Sequence, residues 1–353
     1  MMTLTRRQFV AGCAAALPTI GSFRFAAAEE GSGAAGQALG VVIHSYGIRQ
    51  HEEKNFGDPL VFLDYCRTLG AAGVQTGIGA RDESYIEKVR ALLARTGMYL
   101  EGIARLPRAA ADVEAFAAEL RTARDCGVTV VRSVLLEGRR YETFESADAF
   151  RKFADECGER LDLARPVVEK LGVRLAIENH KDWRADDLVR IIQRANSPQI
   201  GVCVDTGNSI ALLEEPHEVV EALAPLAFTT HFKDMGVAEY PGGFLLSEVP
   251  LGKGFLDLGR IIRLLREKNP AIRLNLEMIT RDPLRIPCLE SRYWATFESL
   301  PAKHLAATLS LVRQKASHEP LPQVADKPPA ERLAFEDDNV RRSLAYAKEH
   351  LRS

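Results

Sequence analysis

Between Leu39 and Lys315 the chain alternates eight short apolar runs with eight helical patterns, and nothing else in the sequence limits the fold as tightly. The apolar runs are Leu39–Ile43, Gly73–Ile78, Met98–Ile103, Val128–Val134, 173–179, 200–205, 227–232 and 272–278. Each is short, rich in Val, Ile and Leu, and reads as a strand buried on both faces. The segments between and after them are Asp58–Gly70, Tyr85–Arg95, Ala111–Cys126, Ala147–Leu171, Asp186–Ala195, His217–Ala224, Leu258–Lys268 and Leu300–Lys315. They repeat apolar residues at helical spacing, as Leu60, Phe62, Leu63, Cys66 and Leu69 do in the first. Gly97 and Gly172 stand where C-terminal caps belong. Strands alternating with helices pair in parallel, so eight units predict an α/β fold closed as a (β/α)8 barrel. The structural alternative, a doubly wound open sheet, usually carries a Gly-rich phosphate loop after its first strand. Here that strand runs into His44-Ser-Tyr-Gly-Ile-Arg49, which is no such loop.

The ends of the chain have a different character. Thr5-Arg-Arg-Gln-Phe-Val10 resembles the twin-arginine export signature, an Ala-rich apolar stretch follows to Ile20, and Ala26-Ala-Ala28 offers a small-residue cleavage site. Residues 1–28 are therefore expected to be a twin-arginine signal peptide, with a periplasmic or exported protein starting near Glu29 and a flexible lead-in to Ala38. Val10-Ala-Gly-Cys13 resembles a lipoprotein box but follows the arginines too closely to leave a full apolar region, which makes lipid anchoring the weaker reading. Beyond the barrel (39–315), residues 316–353 form a Pro-rich linker and a C-terminal helix carrying Leu333, Val340, Leu344 and Ala347. That helix is expected to dock on the barrel or on a second subunit of a homo-oligomer.

Composition excludes some functions. A net charge of -2 without a basic stripe argues against nucleic acid as a partner. The absence of a run of about 18 apolar residues predicts no membrane span in the mature protein. Cys66, Cys126, Cys157, Cys203 and Cys288 are an odd, irregularly spaced set once Cys13 is removed, and form neither a disulfide framework nor a zinc site.

Four of the apolar runs end in a side chain that does not belong in a core. They carry Glu178, Asp205, His231 and Glu277 near their C-terminal ends. Strand side chains alternate between faces. Glu178 shares a face with Ala176, Asp205 with Cys203, His231 with Thr229 and Glu277 with Asn275, while Leu175, Ile177, Val202, Val204, Leu274 and Leu276 take the other. In a barrel the bulky face packs on the helices and the ligand face points to the axis, at the end where barrel active sites sit. A buried charge is costly unless paired or metal-bound, and a lone one is most simply an ion-pair partner. Four in succession, three carboxylates and one imidazole, suit a divalent ion such as Mn2+, Mg2+ or Co2+ better than a structural zinc site. Mn2+ is the expected cofactor, with Mg2+, Co2+ and Zn2+ as alternatives.

Ile177-Glu-Asn-His180, Val204-Asp-Thr-Gly-Asn208, His231-Phe-Lys-Asp234 and Pro250-Leu-Gly-Lys-Gly254 together resemble the xylose-isomerase-like TIM-barrel superfamily, over roughly Leu39 to Lys315. That superfamily includes sugar isomerases and epimerases, inosose dehydratases and endonuclease IV. The resemblance implies acid–base chemistry on a sugar next to its carbonyl, with the metal holding carbonyl and hydroxyl, an enediolate forming on proton loss, and Glu178 and Glu277 exchanging the proton as a catalytic pair. This gives a metal-dependent sugar isomerase or epimerase. The His231-Phe-Lys-Asp234 pattern lacks the Arg that follows the His in ketose 3-epimerases and looks closer to the dehydratase branch. The alternative is therefore a lyase, dehydratase or hydratase acting on a keto-sugar of 3-keto glycoside type or on a keto-inositol. Endonuclease IV needs more His and carboxylate ligands than this chain offers. A non-catalytic sugar binder would not need both glutamates. His180 and Lys233, two residues beyond ligands on the same face, are candidate substrate contacts, as are His44, Trp183 and Lys253. Glu101 and Arg132, on strands three and four, read as a buried ion pair without a catalytic part.

Overall fold

The computed structural model describes residues 39–317 and 319–351, and the expected export signal and lead-in lie outside the described residues. Its strands, numbered in chain order, are β1 (Gly40–Val42), β2 (Gly73–Gly77), β3 (Tyr99–Ile103), β4 (Val130–Ser133), β5 (Arg174–Glu178), β6 (Ile200–Asp205), β7 (Ala227–Phe232), β8 (Asp234–Tyr240), β9 (Gly243–Val249), β10 (Leu274–Leu276) and β11 (Leu284–Ile286). β1 to β7 and β10 close into a parallel barrel in which β10 lies between β7 and β1. All eight expected strands are present.

Two layers follow from strand alternation. Val41, Val74, Leu100, Val131, Leu175, Val202 and Leu276 face outward into one continuous core with the surrounding helices. Each such side chain, fully buried, stabilises the fold by roughly 1.5–3 kcal/mol. The inward layer is smaller and more polar. Val130, Ala176 and Cys203 form a separate apolar cluster there with Phe228, and the Tyr99 ring fills the space left by Gly40 and Gly73, where any Cβ would collide with it. The helices begin where short acidic side chains cap them: Asp58 accepts from the Leu60 amide (3.0 Å), Asp82 from Tyr85 (2.8 Å) and Asp257 from Arg260 (2.8 Å). Such caps contribute about 1 kcal/mol each.

Between the run 227–232 and the helix Leu258–Lys268 the sequence suggests only a long loop, and the structure corrects this. The segment folds as a hairpin of β8 and β9, paired from Asp234↔Val249 to Tyr240↔Gly243, with β11 on its other edge. Tyr240-Pro-Gly-Gly243 is a legible turn signal, but it falls inside a unit already assigned its strand and helix. Asp234 then holds the returning chain by accepting from the amides of Gly252 (3.0 Å), Gly254 (2.9 Å) and Leu256 (3.2 Å).

The last helix, Pro329–His350, docks on the barrel of its own chain. Glu336 accepts from the amides of Ile48 (2.7 Å) and Arg49 (3.0 Å), Asp337 accepts from the hydroxyls of Tyr46 and Tyr65, and Asn339 donates to Thr280 Oγ1 (3.0 Å). These contacts lie on the segments that follow β1 and β10. No helix among the described residues is long and apolar enough to cross a membrane.

Candidate metal centre

Glu178, Asp205, His231 and Glu277 converge. One ligand atom from each lies within 4.8 Å of the others, and all four residues are buried. Strand register brings them there: Asp205 pairs directly with His231, and Asn275, two residues before Glu277, also pairs with His231. Neighbouring side chains fix each one. Asp205 Oδ1 accepts from the amides of Gly207 (2.9 Å) and Asn208 (2.8 Å), and Asn179 clamps the Asp205 backbone with two further hydrogen bonds. Arg132 donates twice to Glu178 Oε2, from Nε at 2.6 Å and from Nη2, while Asn208 donates to Oε1 at 3.2 Å.

His231 tests whether a cation fits. Its Nε2 lies 2.7 Å from Gln75 Oε1, and Gln75 Nε2 donates to Glu101 Oε2 at 3.0 Å, which fixes the amide orientation. Nε2 therefore carries the hydrogen, an assignment made from the network. In the neutral ring Nδ1 then turns a lone pair toward Glu277 Oε1 at 3.1 Å and Glu178 Oε2 at 3.3 Å, and makes no hydrogen bond. Three electron-rich atoms at such spacing repel unless a proton or a cation lies among them. Asp205 Oδ2 also lacks an aligned hydrogen bond, although Lys233 Nζ stands 2.7 Å away as an ion pair. The donor set is that of a divalent cation with open positions, and the residues fit one.

The carboxylates are held charged by their neighbours. Burial pushes the Glu178 carboxyl upward, but Arg132 and, when a proton rather than a cation sits on its Nδ1, the His231 imidazolium outweigh it and hold it well below the usual range. Burial likewise opposes ionisation of Glu277, and the same imidazolium and Lys233 prevail. Asp205 is raised by burial to about 6 despite Lys233. Lys233 Nζ sits 2.5 Å from Glu277 Oε2 and 3.9 Å from Glu248 Oε1.

A cavity of roughly 650 Å³ opens onto this cluster. Glu277 lines it, Glu178 does not. Of the other residues expected at the site, His44 and His180 line the cavity. His44 Nδ1 lies 3.1 Å from Glu277 Oε1. His180 keeps an unpartnered Nδ1, and burial together with Lys181 pulls it down to about 3, so the ring is neutral. Lys233 bonds the ligand carboxylates and lies outside the lining. Trp183 is elsewhere, its ring 4.9 Å from Phe150 and stacked on Phe153 at 6.1 Å. Lys253 is exposed on the turn after β9 and also outside the lining.

Glu101 and Arg132 do not pair, contrary to the sequence reading. Arg132 belongs to Glu178, and Glu101 Oε2 accepts from Gln75, Thr229 (2.7 Å) and Asn275 (3.0 Å) deeper in the barrel. Adjacent strands suggested the pair, but Arg132 lies nearer the open end than Glu101. Gln75 was not singled out. Its signal was available: a polar side chain on the inward face of β2, which must find buried partners. Lys181, Glu248 and Arg281 carried no signal, because their contacts depend on how the loops after β5, β7 and β10 return.

Comparison with known proteins agrees with this architecture. The chain matches the family model described as Xylose isomerase-like TIM barrel over residues 63–297, and it belongs to that family. It is 31% identical over 133 residues to the 3-oxo-isoapionate decarboxylase of Pectobacterium atrosepticum, a match covering 37% of this chain and about half (48%) of that protein. Among solved structures it is similar to a D-psicose 3-epimerase determined in the presence of D-fructose (TM-score 0.58, 15% identity, 89% of this chain and 99% of that one). It is also similar to a xylose isomerase-like TIM barrel protein from Mycobacterium smegmatis in complex with magnesium (TM-score 0.52, 21% identity, 77% and 98%). At these identities the two structures speak for the fold alone.

Proposed function

We propose that this member of the xylose isomerase-like family is a divalent-metal-dependent enzyme that enolises a keto-sugar, with Glu277 as the base. One observation carries the reading: Glu277 lines the cavity, whereas Glu178 lies outside its lining, bonded to Arg132 and Asn208. Glu178, Asp205, His231 and Glu277 would hold the ion, with Mn2+ the expected one. A bound ion would supply Lewis-acid polarisation of the substrate's carbonyl and neighbouring hydroxyl. Glu277, ionised and within reach of the cavity, takes the proton from the carbon next to the carbonyl. His44 on Glu277 Oε1 and Lys233 on Oε2 orient that carboxylate. Glu178 is held as a ligand. His180 Nδ1 and Ser133 Oγ, both buried, unpartnered and on the cavity wall, are free to bind sugar oxygens.

An epimerase working from both faces needs two free bases, so the asymmetry favours one-base outcomes. These are isomerisation, or a lyase-type step in which the enolate expels or loses a group on a keto-sugar or keto-inositol. The decarboxylase name of the partial relative is in keeping with the second. Export through the twin-arginine route, on the signature at Arg6-Arg7, is part of the same proposal; a fusion of residues 1–35 that fails to export a folded reporter overturns it.

The test is NMR in D2O of the Mn2+-loaded protein with ketoses, 3-keto glycosides and keto-inositols. Deuterium should enter at the carbon beside the carbonyl. Glu277→Gln should lower exchange at least about 100-fold with the fold intact, while Glu178→Gln acts mainly through weaker metal binding. Equal loss of exchange in both variants at saturating metal would sink the one-base reading.

A further inference from the structure

We infer that the substrate carries an anionic group, a carboxylate or a phosphate ester, which docks against Lys181 and Arg160 on the cavity wall. This rests on the sugar-processing reading above and narrows its substrate class.

Charge accounting around the site leads there. Glu178 is matched by Arg132, Glu248 by Arg281, and Asp205 and Glu277 both face Lys233. Lys181 has no carboxylate partner among the described residues. It is 2% exposed, lines the cavity, and its Nζ donates to Asn208 Oδ1. A buried ammonium held by one neutral amide is costly unless something else brings negative charge to it. Burial and Lys233 push Lys181 down to about 8, the mark of that deficit. Asp182, next in sequence, does not cure it: burial lifts its carboxyl to about 8, and its Oδ1 accepts from the Trp183 amide. Counting Lys181, four carboxylates around the site face four cations, so a divalent ion would leave an excess of two positive charges. A sugar with a carboxylate cancels one of these charges and one with a phosphate ester up to about two, while proton transfer to Glu277 leaves the total unchanged.

The cavity wall agrees. Six lining side chains are Arg or Lys, against two carboxylates, Glu137 and Glu277. Arg132, Arg281 and Arg105 are taken by Glu178, Glu248 and Glu137. Of the remaining two arginines Arg108 is exposed, and Arg160 is largely available. Its guanidinium lies over the Phe153 ring at 5.4 Å, has Leu135 O (3.3 Å) and Glu156 (3.5 Å) as its polar partners among the described residues, and is half-buried where a fixed charge counts for more than at the surface. Ser133 Oγ, buried and unpartnered on the same wall, supplies a neutral donor.

The test uses three polyols that cannot enolise: D-sorbitol, D-gluconate and D-sorbitol 6-phosphate, titrated calorimetrically into the Mn2+-loaded protein. One or both anions should bind at least about tenfold tighter than sorbitol, and the tighter of the two identifies the group. Arg160→Met should cut anion affinity at least about fivefold and leave sorbitol unchanged, with Arg160→Lys retaining part of the preference. Lys181→Met should do the same, its folding checked by circular dichroism. Equal binding of all three polyols overturns the inference. So does an anion preference that survives both Met variants, because it would then come from chelation of the ion alone. Deuterium exchange reads Glu277 separately: exchange without anion preference removes only this inference, and anion preference without exchange removes only the one-base reading.

Discussion

Replacing Gln75 tests the tautomer argument on which the metal centre depends. Gln75 does not line the cavity, and its effect must pass through His231. Gln75→Leu removes the acceptor 2.7 Å from His231 Nε2 and the donor 3.0 Å from Glu101 Oε2. A buried N–H left unsatisfied costs about 1–3 kcal/mol, and the ring loses the contact that keeps its hydrogen on Nε2. Outer partners of metal-bound His typically account for 10–100-fold in metal affinity. The expected outcome is Mn2+ binding weakened by about that factor, followed by competition calorimetry, with thermal stability lowered in step. Gln75→Glu is the counterpart. It keeps an acceptor for Nε2–H but sets a second carboxyl beside Glu101, a repulsion that one shared proton relieves. Mn2+ affinity should stay within about threefold of the parent, since the acceptor for His231 is preserved, while stability falls. Unchanged affinity in a folded Gln75→Leu protein, or equal loss in both variants, would refute the reasoning.

Three further outcomes follow from the same contacts. Gly252 has φ +79°, and a Cβ there would strike the Tyr346 ring of the last helix. Gly252→Ala should cost about 1–3 kcal/mol in urea melts and loosen that helix to proteolysis. Trp183→Phe should lower stability by about 1–3 kcal/mol through lost packing on Phe150 and Phe153, with substrate KM unchanged; a raised KM would return Trp183 to the site. Burial lifts Glu336 to about 6, above its ordinary 4.5. A carboxyl raised by folding favours the protonated state, so its contribution is greatest below about pH 4.5 and is lost as pH rises through about 6. The parent should therefore lose about 2 kcal/mol over that window from this group, and Glu336→Gln should flatten that part of the thermal stability profile.

Much of the site was legible before the fold was known because strand chemistry is local. Side chains two apart share a face, and buried strands tolerate polar residues only where something receives them. That is how Glu178, Asp205, His231 and Glu277 stood out, and why eight strands and their helices could be placed within a few residues of where they lie. Illegible were contacts made by loops. Glu248 on the unforeseen hairpin and Arg281 after β10 meet only because both segments fold back over the barrel mouth. Trp183 reads equally well as a sugar platform or a packing ring until Phe150 and Phe153 are seen beneath it.

The sequence by itself determined the barrel, the strand ends and the residue types gathered at its mouth, since periodicity and burial cost act over a few residues. Only the tertiary structure decided which glutamate meets the cavity. Arg132 lies 46 positions from Glu178 and ties it, while Glu277 is left facing the cavity. It also decided that Lys181 is buried without a carboxylate ion-pair partner among the described residues, and that the last helix packs on its own barrel through contacts such as Tyr46 to Asp337, 291 positions apart. Such pairings depend on three-dimensional proximity, which no local pattern encodes.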